Sequence, residues 1–343
     1  MNKERVLGKT GFRVTLPGLG GLCIQRRSMK KAVEVVRHAV KRGINFIDTA
    51  RSYTDSEEKL GKALSGINEK VFLATKTQAR DREGALEDIH KSLDLLRVKK
   101  IDIYQLHAVN DLENLNQVNS PGGALEALKE ARDKGLIDYI GISGHNNELL
   151  VKALKTEEYD TVQFCYNYIE DDCERELIPL ARSKNIGMLA MKPLAGGRLT
   201  EADVALKYIL NQEGVIPIPG MEKIKELDEN IDTVRGSWHL SAEDKISIER
   251  MKKELGKVFC RRCGYCLPCP EEVPIPIALR SQSFINRVDK ETLCSGWVYD
   301  AYLQAKSCTE CGACIEKCPY QLPIPRLIIE NRKLLEDYYS SIE

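Results

Sequence analysis

Short apolar runs alternate with helical patterns along most of this sequence. Apolar segments bounded by polar residues or glycine predict a first strand near residues 16–19 and seven more at 44–48, 71–75, 101–106, 138–142, 161–165, 187–191 and 215–218. Between these segments apolar residues recur every three or four positions, as at Ala85, Ile89, Leu93 and Leu96, which predicts amphipathic helices. Eight strand–helix units at this spacing favour a (β/α)8 TIM barrel over a doubly wound sheet.

The same patterns indicate how the barrel begins and where it ends. Residues 5–16 alternate weakly around Gly8-Lys9-Thr10-Gly11, which predicts a β-hairpin before the first barrel strand. The last helix of this pattern is predicted over about residues 242–256, after which the composition changes. We therefore expect a barrel domain over residues 1–256 and a second domain over residues 257–343.

Three consecutive predicted strands end in polar side chains that are suited to catalysis. Asp48 ends the first of them, Lys76 follows the second, His107 follows the third, and Tyr53 lies in the loop after Asp48. Because catalytic groups of such barrels lie at the C-terminal ends of the strands, we expect these four side chains to converge. A phenol is a poor proton donor at neutral pH. An ammonium beside the phenol favours the phenolate, and an aspartate can hold that ammonium in place. An imidazole can polarise a carbonyl oxygen. The pattern predicts a site that protonates a carbonyl while another group supplies hydride.

The overall composition limits the classes of partner. The chain has 343 residues, of which 43% are hydrophobic, and its 51 acidic and 51 basic side chains give zero net charge. Zero net charge argues against a protein that binds nucleic acid or an anionic membrane surface. No apolar run approaches the length of about 18 residues that a transmembrane helix needs, and the first residues lack the apolar core of a signal peptide. We expect a cytoplasmic protein with neither nucleic acid nor membrane as a partner.

Eight of the twelve cysteines lie in two tight runs after residue 259. A proline follows each run, and the runs are Cys260, Cys263, Cys266 and Cys269, then Cys308, Cys311, Cys314 and Cys318. The second run has the spacing with which bacterial ferredoxins bind a 4Fe-4S cluster, and the first is one residue shorter before its last cysteine. Since the two runs repeat at an offset of 48 to 49 residues, the duplication predicts two equivalent cluster half-sites.

The pairing of the runs follows from two-cluster ferredoxins, in which the fourth cysteine of each run ligates the other cluster. We therefore expect Cys318 to complete the first set and Cys269 to complete the second. The alternative is a pair of structural zinc sites, although zinc sites usually separate their two Cys-x-x-Cys units by a longer loop. Helical patterns at 277–288, 297–306 and 326–338 indicate a small, mainly helical ferredoxin-like domain.

Residues 1 to about 255 resemble the aldo-keto reductase family. The motifs that carry this resemblance are Gly8-Lys9-Thr10-Gly11, Asp48-Thr49-Ala50-Arg51-Ser52-Tyr53, Ala74-Thr75-Lys76, Asp102-Ile103-Tyr104-Gln105-Leu106-His107 and Gly141-Ile142-Ser143. The resemblance implies that Tyr53 is the general acid, that Lys76 and Asp48 tune it, and that His107 orients the carbonyl. It also implies that NADPH or NADH, bound across the barrel mouth, supplies the hydride.

Contacts to the nicotinamide half of that cofactor are also implied by the resemblance. Ser143 and Gln163 fall where the family hydrogen-bonds the nicotinamide amide. Met191, in the segment Met191-Lys192-Pro193-Leu194, stands where many relatives carry an aromatic ring that stacks on the nicotinamide, and Gly144 stands where an asparagine is common. These two departures predict that the nicotinamide is held differently from the usual arrangement.

Contacts to the adenosine half are implied by a second group of residues. The segment Ile218-Pro219-Gly220-Met221, followed by Glu229 and Asn230, resembles the part of the family that holds the adenosine. The glycine-rich stretch that ends at Gly21 allows the backbone to approach a ligand closely. The resemblance leaves the choice between NADP and NAD open.

Three functional hypotheses remain open at this point. The leading one is an oxidoreductase that reduces a small aldehyde or ketone, or oxidises the alcohol, and carries two 4Fe-4S clusters for electron transfer or structure. Nicotinamide passes a hydride whereas a cluster passes one electron, so the second hypothesis is a ferredoxin-linked oxidoreductase without ordinary nicotinamide turnover. The third is a redox-sensing protein. A one-electron carrier such as ferredoxin is an expected partner, and the long predicted loop at 108–123 gives no indication of the substrate.

Overall fold

The computed structural model describes residues 3–156 and 158–342, and it separates into two compact units. One unit comprises residues 1–195 and 200–241, and the other comprises 196–199 and 242–343. This division assigns the helix Ala242–Leu255 to the second unit, whereas the sequence pattern placed it at the end of the barrel domain. The boundary after residue 256 stays a prediction.

The first unit is a closed barrel of parallel strands. Its strands in chain order are β1 (Glu4–Val6), β2 (Arg13–Thr15), β3 (Leu19–Gly20), β4 (Phe46–Asp48), β5 (Phe72–Thr77), β6 (Ile101–Leu106), β7 (Ile137–Ser143), β8 (Thr161–Cys165), β9 (Gly187–Met191) and β10 (Val215–Pro217). Strands β3 to β10 form one eight-stranded sheet in chain order, with each strand parallel to the next. The N–H groups of Gly18 and Gly20 donate to the carbonyl oxygens of Pro217 and Pro219 at 3.0 and 2.9 Å, which joins β3 to the segment of β10. The predicted fold class is confirmed.

Helices connect these strands and pack on the outside of the barrel. They are α1 (Met29–Lys41), α2 (Ser56–Leu64), α3 (Arg82–Leu96), α4 (Leu112–Asn119), α5 (Ala124–Asp133), α6 (Asn147–Leu154), α7 (Leu177–Ser183), α8 (Ala202–Leu210) and α9 (Ile224–Arg235). Short 3-10 turns cover Gly8–Thr10, Gly21–Arg26 and Asp172–Glu174. The prediction of a loop over 108–123 was wrong in its centre. There Asp111 caps α4 by accepting a hydrogen bond from the Asn114 N–H at 2.7 Å, and Leu115 and Val118 are buried.

The N-terminal hairpin β1–β2, predicted from the sequence, closes the end of the barrel at which the strands begin. Phe12 stacks on Phe72, the first residue of β5, with ring centroids 4.1 Å apart. A Cβ on Gly8 would lie 2.3 Å from the N atom of Gly187, the first residue of β9, and Gly8 has a φ of +49°, so only glycine fits at this contact. The opposite end of the barrel, where the strands finish, carries the polar side chains.

The second unit is helical, as predicted. Its helices are α10 (Ala242–Leu255), α11 (Ile275–Ala278), α12 (Ser281–Ile285), α13 (Lys290–Cys294), α14 (Trp297–Ala305), α15 (Ala313–Glu316) and α16 (Ile324–Ile342). The helix predicted at 277–288 is two short helices, whereas those predicted at 297–306 and 326–338 are confirmed. One small core surrounds the cysteine runs, and a second is built by Phe284, Leu293, Val298, Tyr302 and Leu335. Across the described residues, no helix combines the length and the apolar character that a membrane crossing requires.

Candidate active site and candidate cluster site

The structure brings the four predicted catalytic side chains together at the barrel mouth. Asp48 ends β4, Lys76 lies near the end of β5, His107 follows β6 directly, and Tyr53 lies in the loop between β4 and α2. Parallel pairing aligns the three strands, so their C-terminal ends meet at one edge.

A buried ion pair forms the base of this site. The Lys76 ammonium donates to Asp48 Oδ2 at 2.7 Å and to the carbonyl oxygen of Thr49 at 2.6 Å. Lys76 and Asp48 are 1% and 2% exposed, and burial alone would lower the pKa of Lys76. The Asp48 carboxylate and the Tyr53 phenol outweigh that effect, so the pKa of Lys76 lies above its usual value. The lysine is therefore an ammonium at every physiological pH.

Tyr53 lies against both the lysine and the histidine. Lys76 Nζ lies 5.1 Å from the centroid of the Tyr53 ring, and the rings of Tyr53 and His107 meet edge to face at 5.7 Å. Burial raises the pKa of Tyr53, and the Lys76 charge opposes this without overcoming it. The ammonium therefore acts in the expected direction, but the net shift is upward, and Tyr53 is a protonated phenol at neutral pH.

His107 is held as a neutral imidazole. Its Nδ1 lies 3.2 Å from Ser52 Oγ, and Arg80 donates to its carbonyl oxygen at 2.8 Å. Burial, followed by the charges of Lys76, Arg80 and Lys192, lowers the pKa of His107 well below 6.5. A neutral ring can donate one hydrogen bond, which suits the orientation of a carbonyl oxygen.

Two glutamines that fix Asp48 complete the polar core of the mouth. Gln105 donates from Nε2 to Asp48 Oδ1 at 3.1 Å, and Gln163 donates from Nε2 to Asp48 Oδ2 at 3.3 Å. No separate role for Gln105 was predicted from the sequence. In the β5–β6 pair Gln105 lies opposite Lys76. This pairing would have identified Gln105 as a neighbour of the site, but it is not visible in the sequence alone.

Gln163, a predicted nicotinamide contact, lies in the middle of β8, and Ser143, the other one, ends β7. Ser143 Oγ donates to the carbonyl oxygen of Leu106 at 3.2 Å and accepts from the N–H of Ala108 at 3.1 Å. The Oε1 atoms of Gln163 and Gln105 are both buried, and neither accepts a hydrogen bond from any residue that the structure describes. An amide oxygen in that state fits an N–H donor of a bound group, because an unpaired buried acceptor is costly. These residues therefore fit a nicotinamide amide.

The remaining predicted cofactor residues near the barrel strands occupy three stretches of the rim. Gly21 begins the turn after β3, and a Cβ there would lie 2.9 Å from the carbonyl oxygen of Asp48. Met191 ends β9 and is partly exposed. Pro193 and Leu194, which belong to the same predicted cofactor segment, follow two and three residues later. Gly220 and Met221 follow β10; Met221 is buried, and a Cβ on Gly220 would meet Cys23 Sγ at 2.7 Å.

Glu229 and Asn230, predicted to contact the adenosine half, lie within helix α9. Asn230 is 4% exposed. Glu229 is largely exposed and pairs with Lys225 at 3.7 Å, so its carboxylate is within reach of solvent. The adenosine role of these two residues stays a prediction.

The two cysteine runs share a backbone conformation as well as a spacing. Arg262 and Gly264 have φ of 62° and 82°, and the equivalent positions Glu310 and Gly312 have φ of 55° and 80°. Such left-handed residues between right-handed ones turn N–H groups inward, as in the nests that hold anions and iron–sulfur clusters. One of these amides, that of Arg262, donates to Cys260 Sγ at 3.4 Å. The backbone thus repeats the sequence duplication.

The thiols fall into two sets by the charges that they exert on each other. Burial raises the pKa of Cys263, and the neighbouring Cys260 and Cys318 add to the increase. Burial also raises the pKa of Cys266 to about 12, with further contributions from Cys260, Cys263 and Cys318. These four thiols neighbour one another.

The second set contains the other four thiols. Burial raises the pKa of Cys314, and the neighbouring Cys308, Cys269 and Cys311 add to the increase. Each set therefore contains three cysteines of one run and the last cysteine of the other run. Among the described residues, no group of three or more His, Cys, Asp or Glu side chains is arranged to hold a metal ion. A cubane distributes its four thiolates over four irons, so its ligands stand farther apart than those of one ion. The donor set fits such clusters.

Both parts of the chain match known families. The sequence model of the Aldo/keto reductase family matches residues 17–204, and that of the 4Fe-4S dicluster domain matches residues 259–322. The first match covers the barrel from β3 to the first turn of α8, and the second contains both cysteine runs.

Relatives and solved structures agree with the family match. The chain is 28% identical over 282 residues to the L-galactose dehydrogenase of Arabidopsis thaliana, across 67% of this chain and 87% of that protein. An aldo-keto reductase from Bacillus halodurans in its holo form superposes with a TM-score of 0.63 at 24% identity, over 73% of this chain and 96% of the other. A Klebsiella pneumoniae aldo-keto reductase in complex with NADPH superposes with a TM-score of 0.62 at 23% identity, over 73% and 95%.

Proposed function

Because the chain belongs to the aldo/keto reductase family, we propose that it transfers hydride between a nicotinamide dinucleotide and a small aldehyde, ketone or alcohol. The observation that carries this proposal is the convergence of the Asp48–Lys76 pair, the Tyr53 phenol and the neutral His107 at one end of the barrel. The solved relative that binds NADPH supports the same reaction class.

Each side chain has a distinct task in the proposed reaction. Tyr53 gives its phenolic proton to the carbonyl oxygen, and Lys76 stabilises the phenolate that remains, with Asp48 holding the ammonium in place. Ser52 Oγ lies 3.2 Å from His107 Nδ1, and we assign Ser52 as the donor of this hydrogen bond. The neutral ring then carries its proton on Nε2 and would donate it to the carbonyl oxygen. A bound reduced nicotinamide supplies the hydride.

The cofactor contacts follow from the groups that the mouth offers. Gln163 and Ser143 would hold the nicotinamide amide, while Gly21, Met191, Pro193 and Leu194 would line its path. Gly220, Met221, Glu229 and Asn230 would hold the adenosine half. NADPH is the form we propose to test first, since a solved relative binds it.

Two 4Fe-4S clusters are the proposed occupants of the second unit. Cys260, Cys263, Cys266 and Cys318 would hold one, and Cys269, Cys308, Cys311 and Cys314 the other. Such clusters supply one-electron transfer, and a one-electron carrier such as ferredoxin is the corresponding partner. The match to a 4Fe-4S dicluster domain and the grouping of the thiols support this assignment.

The test of the proposed function uses the full chain purified without oxygen. We expect about eight iron atoms and eight sulfides per chain, as two four-iron clusters require, and oxidation of NADPH or NADH that depends on an added aldehyde. Zinc in place of iron would contradict the cluster assignment. Absence of nicotinamide turnover with a broad panel of aldehydes, ketones and alcohols would contradict the barrel assignment.

The pH dependence of the reaction follows from the two shifted groups. His107 stays neutral through pH 6.5 because its pKa lies well below that value, and Tyr53 keeps its proton past pH 10 because its pKa is raised above 10. We therefore expect kcat/KM for carbonyl reduction to be flat from about pH 6 to pH 9, while alcohol oxidation, which needs the phenolate, rises across that range. Steady-state rates measured in both directions check this. An inflection of the reduction rate near pH 6.5 would show that His107 titrates instead.

Gln163 gives a test of the nicotinamide contact. Gln163→Leu removes the amide that would pair with the nicotinamide, so we expect the Kd of NADPH to rise by about two- to tenfold, as for one hydrogen bond. Gln105→Leu is the matched control, because it also loses one bond to Asp48. Fluorescence titration measures both constants. An equal rise in the two variants would assign the effect to Asp48 rather than to the nicotinamide.

A further inference from the structure

The outer face of strand β5 carries two carboxylates directly behind the catalytic lysine. Lys76 points into the barrel mouth, and because side chains alternate along a strand, Thr75 and Thr77 point outward. Thr75 Oγ1 donates to Glu57 Oε1 of α2 at 2.6 Å, and Thr77 Oγ1 donates to Asp88 Oδ2 of α3. The two threonines that flank Lys76 thus each hold one carboxylate.

Arg51 joins these two carboxylates. Its Nη1 atom donates to Glu57 Oε2, and its Nε atom lies 3.6 Å from Asp88 Oδ1. Burial alone would lower the pKa of Arg51, but the hydrogen bond and charge of Glu57, together with Asp88, raise it above its usual value. Glu57 is 1% exposed, and a carboxylate buried to that degree needs a paired cation. Arg51 supplies that cation.

Arg51 belongs to the loop that carries the catalytic phenol. Its N–H donates to the Lys76 carbonyl oxygen at 3.0 Å, so the loop continues the hydrogen bonds of the β4–β5 pair past the end of β4. The Tyr53 N–H donates to the carbonyl oxygen of Ala50 at 3.0 Å, which closes a turn with Arg51 and Ser52 at its centre. Arg51 is thus fixed through both its backbone and its guanidinium, two residues before Tyr53.

Tyr53 depends on this anchoring more than its catalytic neighbours do. Asp48 and Lys76 lie on strands, which fix their positions, whereas Tyr53 lies in the loop. A general acid must lie within hydrogen-bond distance of the atom that it protonates, and a misplacement of about 1 Å can lower a rate by about 10²-fold. A guanidinium is a rigid, planar fork that can face two carboxylates in fixed directions, which a flexible ammonium cannot do.

We propose that Arg51 is a positioning residue. By binding Glu57 and Asp88 on the outer face of the barrel, Arg51 holds its loop so that the phenol of Tyr53 lies against the catalytic lysine and histidine. The inference rests on the proposed carbonyl reduction and adds to it a residue that acts through Tyr53.

The experiment compares wild type with Arg51→Lys and with the control Arg82→Lys, each in the full chain purified without oxygen. Arg51→Lys keeps the charge that Glu57 needs, so the variant is expected to fold, but it loses the fork. Arg82, which begins α3, faces two carboxylates in the same way. Its Nη2 atom donates to Glu130, and its Nε atom lies 3.7 Å from Glu126, both on α5.

The kinetic result should separate positioning from general support of the barrel. We expect Arg51→Lys to lower kcat for carbonyl reduction by about 10- to 100-fold and to leave the Kd of NADPH unchanged, and Arg82→Lys to change neither. In the Tyr53→Phe background, Arg51→Lys should cause no further loss, because the phenol through which it acts is already absent. Equal losses with and without Tyr53→Phe would overturn the assignment.

A second measurement does not depend on turnover. With 3-fluorotyrosine at position 53, fluorine NMR should give the same resonance in wild type and Arg82→Lys, and a resonance moved towards that of the unfolded chain in Arg51→Lys. If wild type reduces no carbonyl compound, the proposed function fails and this resonance decides the inference by itself. An unchanged resonance in Arg51→Lys would then reject it, and a shift confined to that variant would support it.

Discussion

Replacing Tyr53 by phenylalanine is expected to lower kcat for carbonyl reduction by about 10²–10⁴-fold, the usual contribution of a positioned general acid. The substitution removes one oxygen atom and leaves the ring against His107 and Lys76. Because Lys76 keeps its bonds to Asp48 and Thr49, the site retains its shape. We therefore expect the Kd of NADPH to stay nearly unchanged, as measured by fluorescence titration beside steady-state rates.

Tyr139→Phe is the matched control for this loss. Tyr139 also donates its phenolic hydrogen, to the carbonyl oxygen of Thr10 at 3.0 Å, but it lies at the hairpin end of the barrel. That variant should lose one hydrogen bond and keep its turnover. Full activity in Tyr53→Phe, or equal losses in the two variants, would contradict the role of Tyr53 as the proton donor.

The second large effect is expected from pairs of cysteine substitutions. The crossed assignment places Cys260 and Cys318 on the same cluster and Cys308 on the other. Cys260→Ala with Cys318→Ala should therefore reduce the iron content from about eight to about four atoms per chain, whereas Cys308→Ala with Cys318→Ala should remove nearly all of it. Iron analysis and electron paramagnetic resonance of the dithionite-reduced protein measure the outcome.

If each run instead ligated its own cluster, Cys260→Ala with Cys318→Ala would remove nearly all of the iron, and Cys308→Ala with Cys318→Ala would remove about half of it. The iron contents of the two double variants therefore decide between the two arrangements. Cys294→Ala is the control, because this thiol lies at the end of α13 outside both runs. We expect it to keep the full iron content. Circular dichroism identifies any variant whose fold is lost, and the two double variants remain comparable because each removes two thiols of the same unit.

The sequence was sufficient to predict the barrel and the side chains at its mouth. Asp48, Lys76 and His107 each end an apolar run, and parallel strands bring such ends to one edge whatever the details of packing. The helix α4 was missed because the segment 108–123 is rich in polar residues, and its start depends on the cap by Asp111. Helices α11 and α12 were predicted as one because their shared apolar pattern does not reveal the break between them.

Properties that depend on three-dimensional surroundings were not predictable in the same way. The ammonium beside Tyr53 indicated a lower pKa for the phenol, yet burial outweighs it and raises that pKa. The contacts of Arg51 join its loop to α2 and α3, which follow different strands. Glu57 and Asp88 form no motif with each other, so only the fold brings these residues together.

The measurement that tests the account most directly follows deuterium from NADPH that is doubly deuterated at C4 of the nicotinamide. If the barrel mouth transfers hydride, the wild-type product carries one deuterium on its carbinol carbon, and Tyr53→Phe forms that product much more slowly. Reduction in single-electron steps through the clusters would instead place solvent hydrogen on that carbon. Mass spectrometry of the alcohol distinguishes the two: retained deuterium is the result that we predict, and a product labelled only from solvent would contradict hydride transfer in the barrel.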